Sequence, residues 1–126
     1  MDNVTLITTF EACANNLLAN GFPLPLDCIT PKLHLTQKKG YYGICRHQRI
    51  NGKTVFTIGI NAEFAAKGTE KAIINTMYHE LLHTLPDCQN HGRIWKQYAQ
   101  KVKILFGYNV CRIGGDKTDA DCNCLN

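Results

Sequence analysis

The residues best equipped for chemistry lie in one short segment, Thr76-Met77-Tyr78-His79-Glu80-Leu81-Leu82-His83. It contains H-E-x-x-H. Four residues on a helix make about one turn, so His79 and His83 share a face and can grip one metal ion. Glu80 is adjacent and can reach a water at that metal. In a chain of this composition the pattern is expected by chance only ~0.006 times, which makes it a strong signal. Ile73, Ile74, Met77, Leu81, Leu82 and Leu85 give the same helix a broad apolar surface for packing. The histidine row runs back through Thr76 and Ala72, small residues expected to leave the metal face approachable.

A catalytic zinc takes three protein ligands and keeps a fourth position for water. His91, His34, His47, Asp87 and Cys88 are the candidates for the third ligand. His91 is chosen, because the turn-rich Pro86-Asp87-Cys88-Gln89-Asn90 lets the chain reverse and eight residues span the distance easily. Asp87 and Cys88 sit too near the helix end to fold back. The expectation is one Zn2+ per chain on His79, His83 and His91, with Glu80 as general base for hydrolysis of a peptide bond by water. Tyr108, Arg112, His47 and Tyr42 have the chemistry to stabilise an oxyanion, and the sequence does not rank them.

The elements that must position these groups follow from periodicity. Leu6, Ile7, Phe10, Cys13, Ala14, Leu17 and Leu18 predict a helix over 4–19. Leu33 and Leu35 alternate with polar residues, 41–50 reads as a second strand, and Val55, Ile58 and Ile60 mark a third. Asn51-Gly52 between the last two is a type I′ hairpin signal. One helical turn is expected over 61–67, and a long helix over 69–85 ended by Pro86. A last helix over 93–106 carries Trp95, Ala99, Val102 and Phe106 on one stripe, with Trp95 beneath the third ligand. The layout is α+β: an N-terminal helix, a small antiparallel sheet, then the H-E-x-x-H helix and a second packed helix.

A chain of 126 residues with 44% hydrophobic and 19% charged residues is one globular domain, neither disordered nor fibrous. Residues 1–28 carry a net charge of −3, residues 29–112 carry +9 and residues 113–126 carry −2. A basic middle raises the expectation of a polyanionic partner, and the bases on the hairpin and last helix suggest weak, salt-sensitive nucleic-acid binding. Tyr41 and Tyr42 could stack on unpaired bases, although core packing suits them too. No stretch nears the 18 or so apolar residues of a membrane span, and the first residues lack a basic leader. Seven cysteines, an odd number, with no secretion signal read as mostly reduced thiols in a cytoplasmic protein. Cys13 and Cys28 are expected to be small buried residues. Cys111, Cys122 and Cys124 could join Cys45 at a second metal site, on weak spacing.

His79-Glu80-Leu81-Leu82-His83-Thr84, then His91-Gly92, then Trp95, resembles the SprT-like (Spartan-type) zinc metallopeptidases. Gly40-Tyr41-Tyr42-Gly43 and Ile58-Gly59-Ile60-Asn61 are also similar to that family's core domain. The resemblance implies a zincin-like core in a metallopeptidase domain over 1–112, followed by a polar tail over 113–126. It also implies protein or peptide substrates, including proteins associated with nucleic acid, held by backbone pairing along the strand nearest the metal, expected over 53–60. The spacing from His83 to His91 is shorter than in many Spartan-type proteins, and the two Cys-x-x-Cys pairs of the family's zinc ribbon are incomplete. The rival reading is a nucleic-acid-associated zinc-binding adaptor that cleaves little.

Overall fold

A computed structural model describes residues 1–29, 33–37 and 40–110. Helix α1 (Asn3–Ala19) starts at Asp2, whose carboxylate accepts the Thr5 N–H at 2.7 Å. It buries Leu6, Phe10, Cys13, Ala14 and Leu17, while Ile7 and Leu18 of the expected stripe stay partly exposed. A 3-10 turn (Leu26–Cys28) precedes strand β1 (His34–Thr36). Strands β2 (Gly43–Ile50) and β3 (Lys53–Asn61) form the hairpin, with Asn51 and Gly52 at φ 51° and 79° as a type I′ turn requires. Asn61 caps α2 (Ala62–Lys67) and Thr69 caps α3 (Glu70–Leu82), each side-chain oxygen accepting an N–H three residues on. Helix α4 (Arg93–Phe106) buries Trp95, Ala99 and Val102 and stacks Phe106 on Tyr78.

The sheet differs from the antiparallel one expected. Its order is β1-β3-β2, with β2 antiparallel and β1 parallel to β3. β1 joins the edge of β3 that β2 does not use, pairing His34, Leu35 and Thr36 with Gly59, Ile60 and Asn61. β3 is paired along its length with β2 and, on its other side, with β1 at Gly59, Ile60 and Asn61 and with Ile29 at Phe56. The expected substrate strand over 53–60 therefore lies inside the sheet with its second edge only partly open. The strand against α3 with an unused edge, among the described residues, is β2.

Helix α3 packs against α1, α4, β2 and β3 and is the hub of the fold. Every residue from Ala72 to Leu85 is buried. The small residues of the histidine row therefore do not leave an open face: Thr76 is covered by Gly43 of β2. The helix also ends at Leu82, short of the expected 85, and the chain continues through tighter turns before Pro86. The expected tail over 113–126, together with Arg112, Cys111, Cys122 and Cys124, lies outside the described residues. Among the described residues no helix is long and apolar enough to cross a membrane.

Candidate metal centre

His79 lies in the last turn of α3, His83 caps the C-terminus of that helix, and His91 lies in the loop that follows. His79 Nε2 and His83 Nε2 lie 3.3 Å apart, as residues one helical turn apart must when both rings point the same way. Beyond His83, Leu85-Pro86-Asp87-Cys88 closes a β-turn, the Cys88 N–H donating to the Leu85 carbonyl at 3.2 Å. Proline at the second position and Asp87 at φ 60° in the third are the type II pattern. Gln89 Nε2 then donates to the Leu85 carbonyl, and Asn90 Oδ1 accepts the Gly92 N–H at 2.9 Å in an Asx turn that brackets His91. This folding back places His91 Nε2 3.0 Å from that of His79 and 3.1 Å from that of His83.

These separations suit one small ion. Two ligands of a tetrahedral zinc at 2.0–2.1 Å stand about 3.3–3.4 Å apart, close to the spacing of the three nitrogens. The protonation also fits. His83 Nδ1 donates to the Cys88 carbonyl at 2.8 Å, which leaves the Nε2 lone pair facing its two partners. Burial pushes the His83 pKa down to about 4, against the raising effect of that hydrogen bond, so the ring is neutral at physiological pH. His79 and His83 are buried and His91 is half-buried. The three histidines together could hold a metal ion.

Trp95 does more than support the third ligand. Its ring lies 4.9, 5.7 and 4.8 Å from the rings of His79, His83 and His91, so one α4 side chain contacts all three. Glu80 is buried against strand β2. A Cβ added at Gly43 would stand 2.6 Å from Thr76 Cγ2 and 3.0 Å from Glu80 Oε2. Only a glycine admits the carboxylate there, a role that the sequence signals through Gly43 without revealing its partner.

The other expected residues fall elsewhere. His34 sits on β1 opposite Gly59, and His47 is on the hairpin with its ring 6.2 Å from that of Phe56. Asp87 is exposed in its turn, and Cys88 contributes a main-chain carbonyl instead of a thiolate. Tyr42 stacks on Phe64 at 4.2 Å and Tyr108 packs against Tyr78, so packing occupies both of these oxyanion candidates. Cys13, Cys28, Cys45 and Cys88 form no disulfide among the described residues, Cys28 being half-buried and the other three buried. Burial pushes Cys13 up to about 12 and Cys88 to about 11, and Cys45 higher still, so these three thiols are protonated and inert.

No curated protein and no solved structure matches the chain. A family model does, the SprT-like family, over residues 10–113. That span runs from the middle of α1 past the end of α4 and takes in the sheet, Glu80 and all three converging histidines. With the match covering most of the chain and every element that builds the centre, the protein belongs to the SprT-like family.

Proposed function

We propose that this protein is a zinc-dependent metallopeptidase that hydrolyses peptide bonds with Glu80 as general base. One observation carries the reading: three imidazole nitrogens converge at 3.0–3.3 Å, and Glu80, next to His79 in the sequence, is buried against Gly43 of an edge strand. Three neutral nitrogen ligands without a thiolate suit zinc with an open position. A zinc held by His79, His83 and His91 would supply Lewis acidity, polarising the scissile carbonyl and bringing the pKa of a water towards ~7. Glu80 accepts the proton of the attacking water as its oxygen bonds to the carbonyl carbon. When the C–N bond breaks, Glu80 returns that proton to the leaving amine.

The substrate strand belongs on β2. The Asn61 N–H donates to the Tyr42 carbonyl at 2.8 Å, which sets the phase of the ladder. By antiparallel alternation Ile44, Arg46 and Gln48 turn their main-chain groups to β3, whereas Gly43, Cys45, His47 and Arg49 turn theirs to the other edge. An extended peptide adding there passes Glu80 at Gly43.

Casein cleavage by zinc-loaded protein tests the reading, with Glu80→Gln as the control. Gln keeps the shape but cannot take the proton, so the rate is expected to fall by ~10²–10⁴ with zinc content unchanged. Equal rates would refute the mechanism.

A weak nucleic-acid contact is a second reading, favoured by exposed Arg46 on the outer sheet face and by Arg93, Lys96 and Lys103 on α4. It requires affinity for labelled oligonucleotides to drop steeply with salt. Binding that is absent at low salt, or unaffected by salt, would remove it.

A further inference from the structure

Beneath the hairpin end of the sheet lies a groove of about 580 Å³, bounded by β2, β3, the segment before β1 and the turn that follows α3. Two of its basic residues, His47 and Arg49, belong to β2, and the third, Lys53, opens β3. Pro25 and Pro86 contribute rigid apolar walls and Phe56 a buried apolar floor. Among the described residues no carboxylate lines the groove; Asp27 and Asp87, close by in sequence, are not among its lining residues. Arg49 donates one N–H to the Gly52 carbonyl at 2.8 Å, which ties its guanidinium to the turn and leaves other donors available.

The strand phase links this groove to the proposed cleavage site. His47 and Arg49 are the residues whose main-chain groups face the unused edge of β2, and their side chains line the groove. Gly43, two ladder positions before His47 on the same edge, abuts Glu80. A peptide strand paired to this edge thus runs from the general base to a basic pocket.

We propose that this groove is a specificity subsite for an acidic segment of a peptide substrate, one that places Glu or Asp side chains between His47, Arg49 and Lys53. The inference rests on the peptidase reading for its context but concerns binding alone. A peptide fits better than a nucleic acid strand for two reasons. The walls are prolines and the floor is a buried ring, so the one exposed aromatic group among the lining residues is the small imidazole of His47. Tyr41 and Tyr42, the other candidates for stacking, are buried or engaged with Phe64.

The test uses full-length, zinc-loaded Glu80→Gln protein and fluorescence anisotropy at low salt. Three labelled decapeptides share a Val/Thr framework and carry Glu, Gln or Lys at alternate positions; labelled oligothymidylate is the fourth probe. The Glu peptide is expected to bind about tenfold more tightly than the Gln peptide, from two or three partly exposed ion pairs, and the Lys peptide most weakly. Arg49→Glu with Lys53→Glu, both at exposed positions, should reverse the order of the Glu and Lys peptides. Methylating alternate amides of the Glu peptide should abolish binding in one phase and spare it in the other. Equal binding of Glu and Gln peptides, an order insensitive to charge reversal, or oligothymidylate binding more tightly than the Glu peptide would each overturn the proposal. Because binding needs no hydrolysis, a protein that selects the Glu peptide yet cleaves nothing as wild type would sink the peptidase reading and leave the subsite standing. A wild type that cleaves casein without charge selection would do the reverse.

Discussion

His83 uses both nitrogens of its ring: Nδ1–H is fixed on the Cys88 carbonyl, so Nε2 is left as a lone pair among its partners. The metal-free protein should show the cost of that burial. The unfolded ring takes a proton near 6.5 and the folded one only near 4. Between those values the unfolded chain binds more protons, so stability falls as pH drops from 6.5 towards 4, by up to about 3 kcal/mol, and is fully present above 7. Urea unfolding of chelator-treated protein checks this, and His83→Gln should remove that part of the slope; an identical slope in the variant would contradict it. His91→Ala should lower zinc content below one per chain while the fold persists, since the half-buried loop ligand leaves the helix intact; full occupancy would mean another third ligand. The convergence of the three histidines was legible because helical spacing puts His79 and His83 on one face and a turn follows. The Cys88 carbonyl was not, because every residue has one and only the turn at Pro86-Asp87 aims it.

Among the elements, β2 and α3 meet with no space to spare. Gly43→Ala should destabilise the protein by about 1–3 kcal/mol, because its methyl meets Thr76 Cγ2 and Glu80. Thr76→Ser removes Cγ2 while keeping the hydroxyl that donates to the Ala72 carbonyl, so the double variant should recover part of the loss. Strict additivity in denaturant midpoints would show that the two residues do not press on each other. In the hairpin, Gly52→Ala should cost about 1–2 kcal/mol at its left-handed φ, read from the same midpoints. Helices α1 and α4 and the hairpin were foreseeable from apolar period and from Asn51-Gly52, which are local signals. The parallel pairing of β1 was not. It has three residues, and its pairing with β3 is a long-range contact that no local pattern encodes. The packing of β2 against α3 overturned the expectation that Thr76 and Ala72 would leave the histidine face open.

At the scale of the whole molecule, one buried helix serves as the core of the fold and as the platform of the metal centre. Folding and metal binding should therefore be coupled: zinc at 1,000 times its Kd should add about 4 kcal/mol to the unfolding free energy, and a chelator should remove it. A Tm unmoved by zinc would argue against a site built only in the folded state. The central claim concerns which atoms hold the metal, and X-ray absorption on the zinc-loaded protein measures that most directly. Three imidazole nitrogens and one oxygen are expected at about 2.0–2.1 Å, with no sulfur. A sulfur shell near 2.3 Å would place a cysteine on the metal and contradict the His79, His83 and His91 centre.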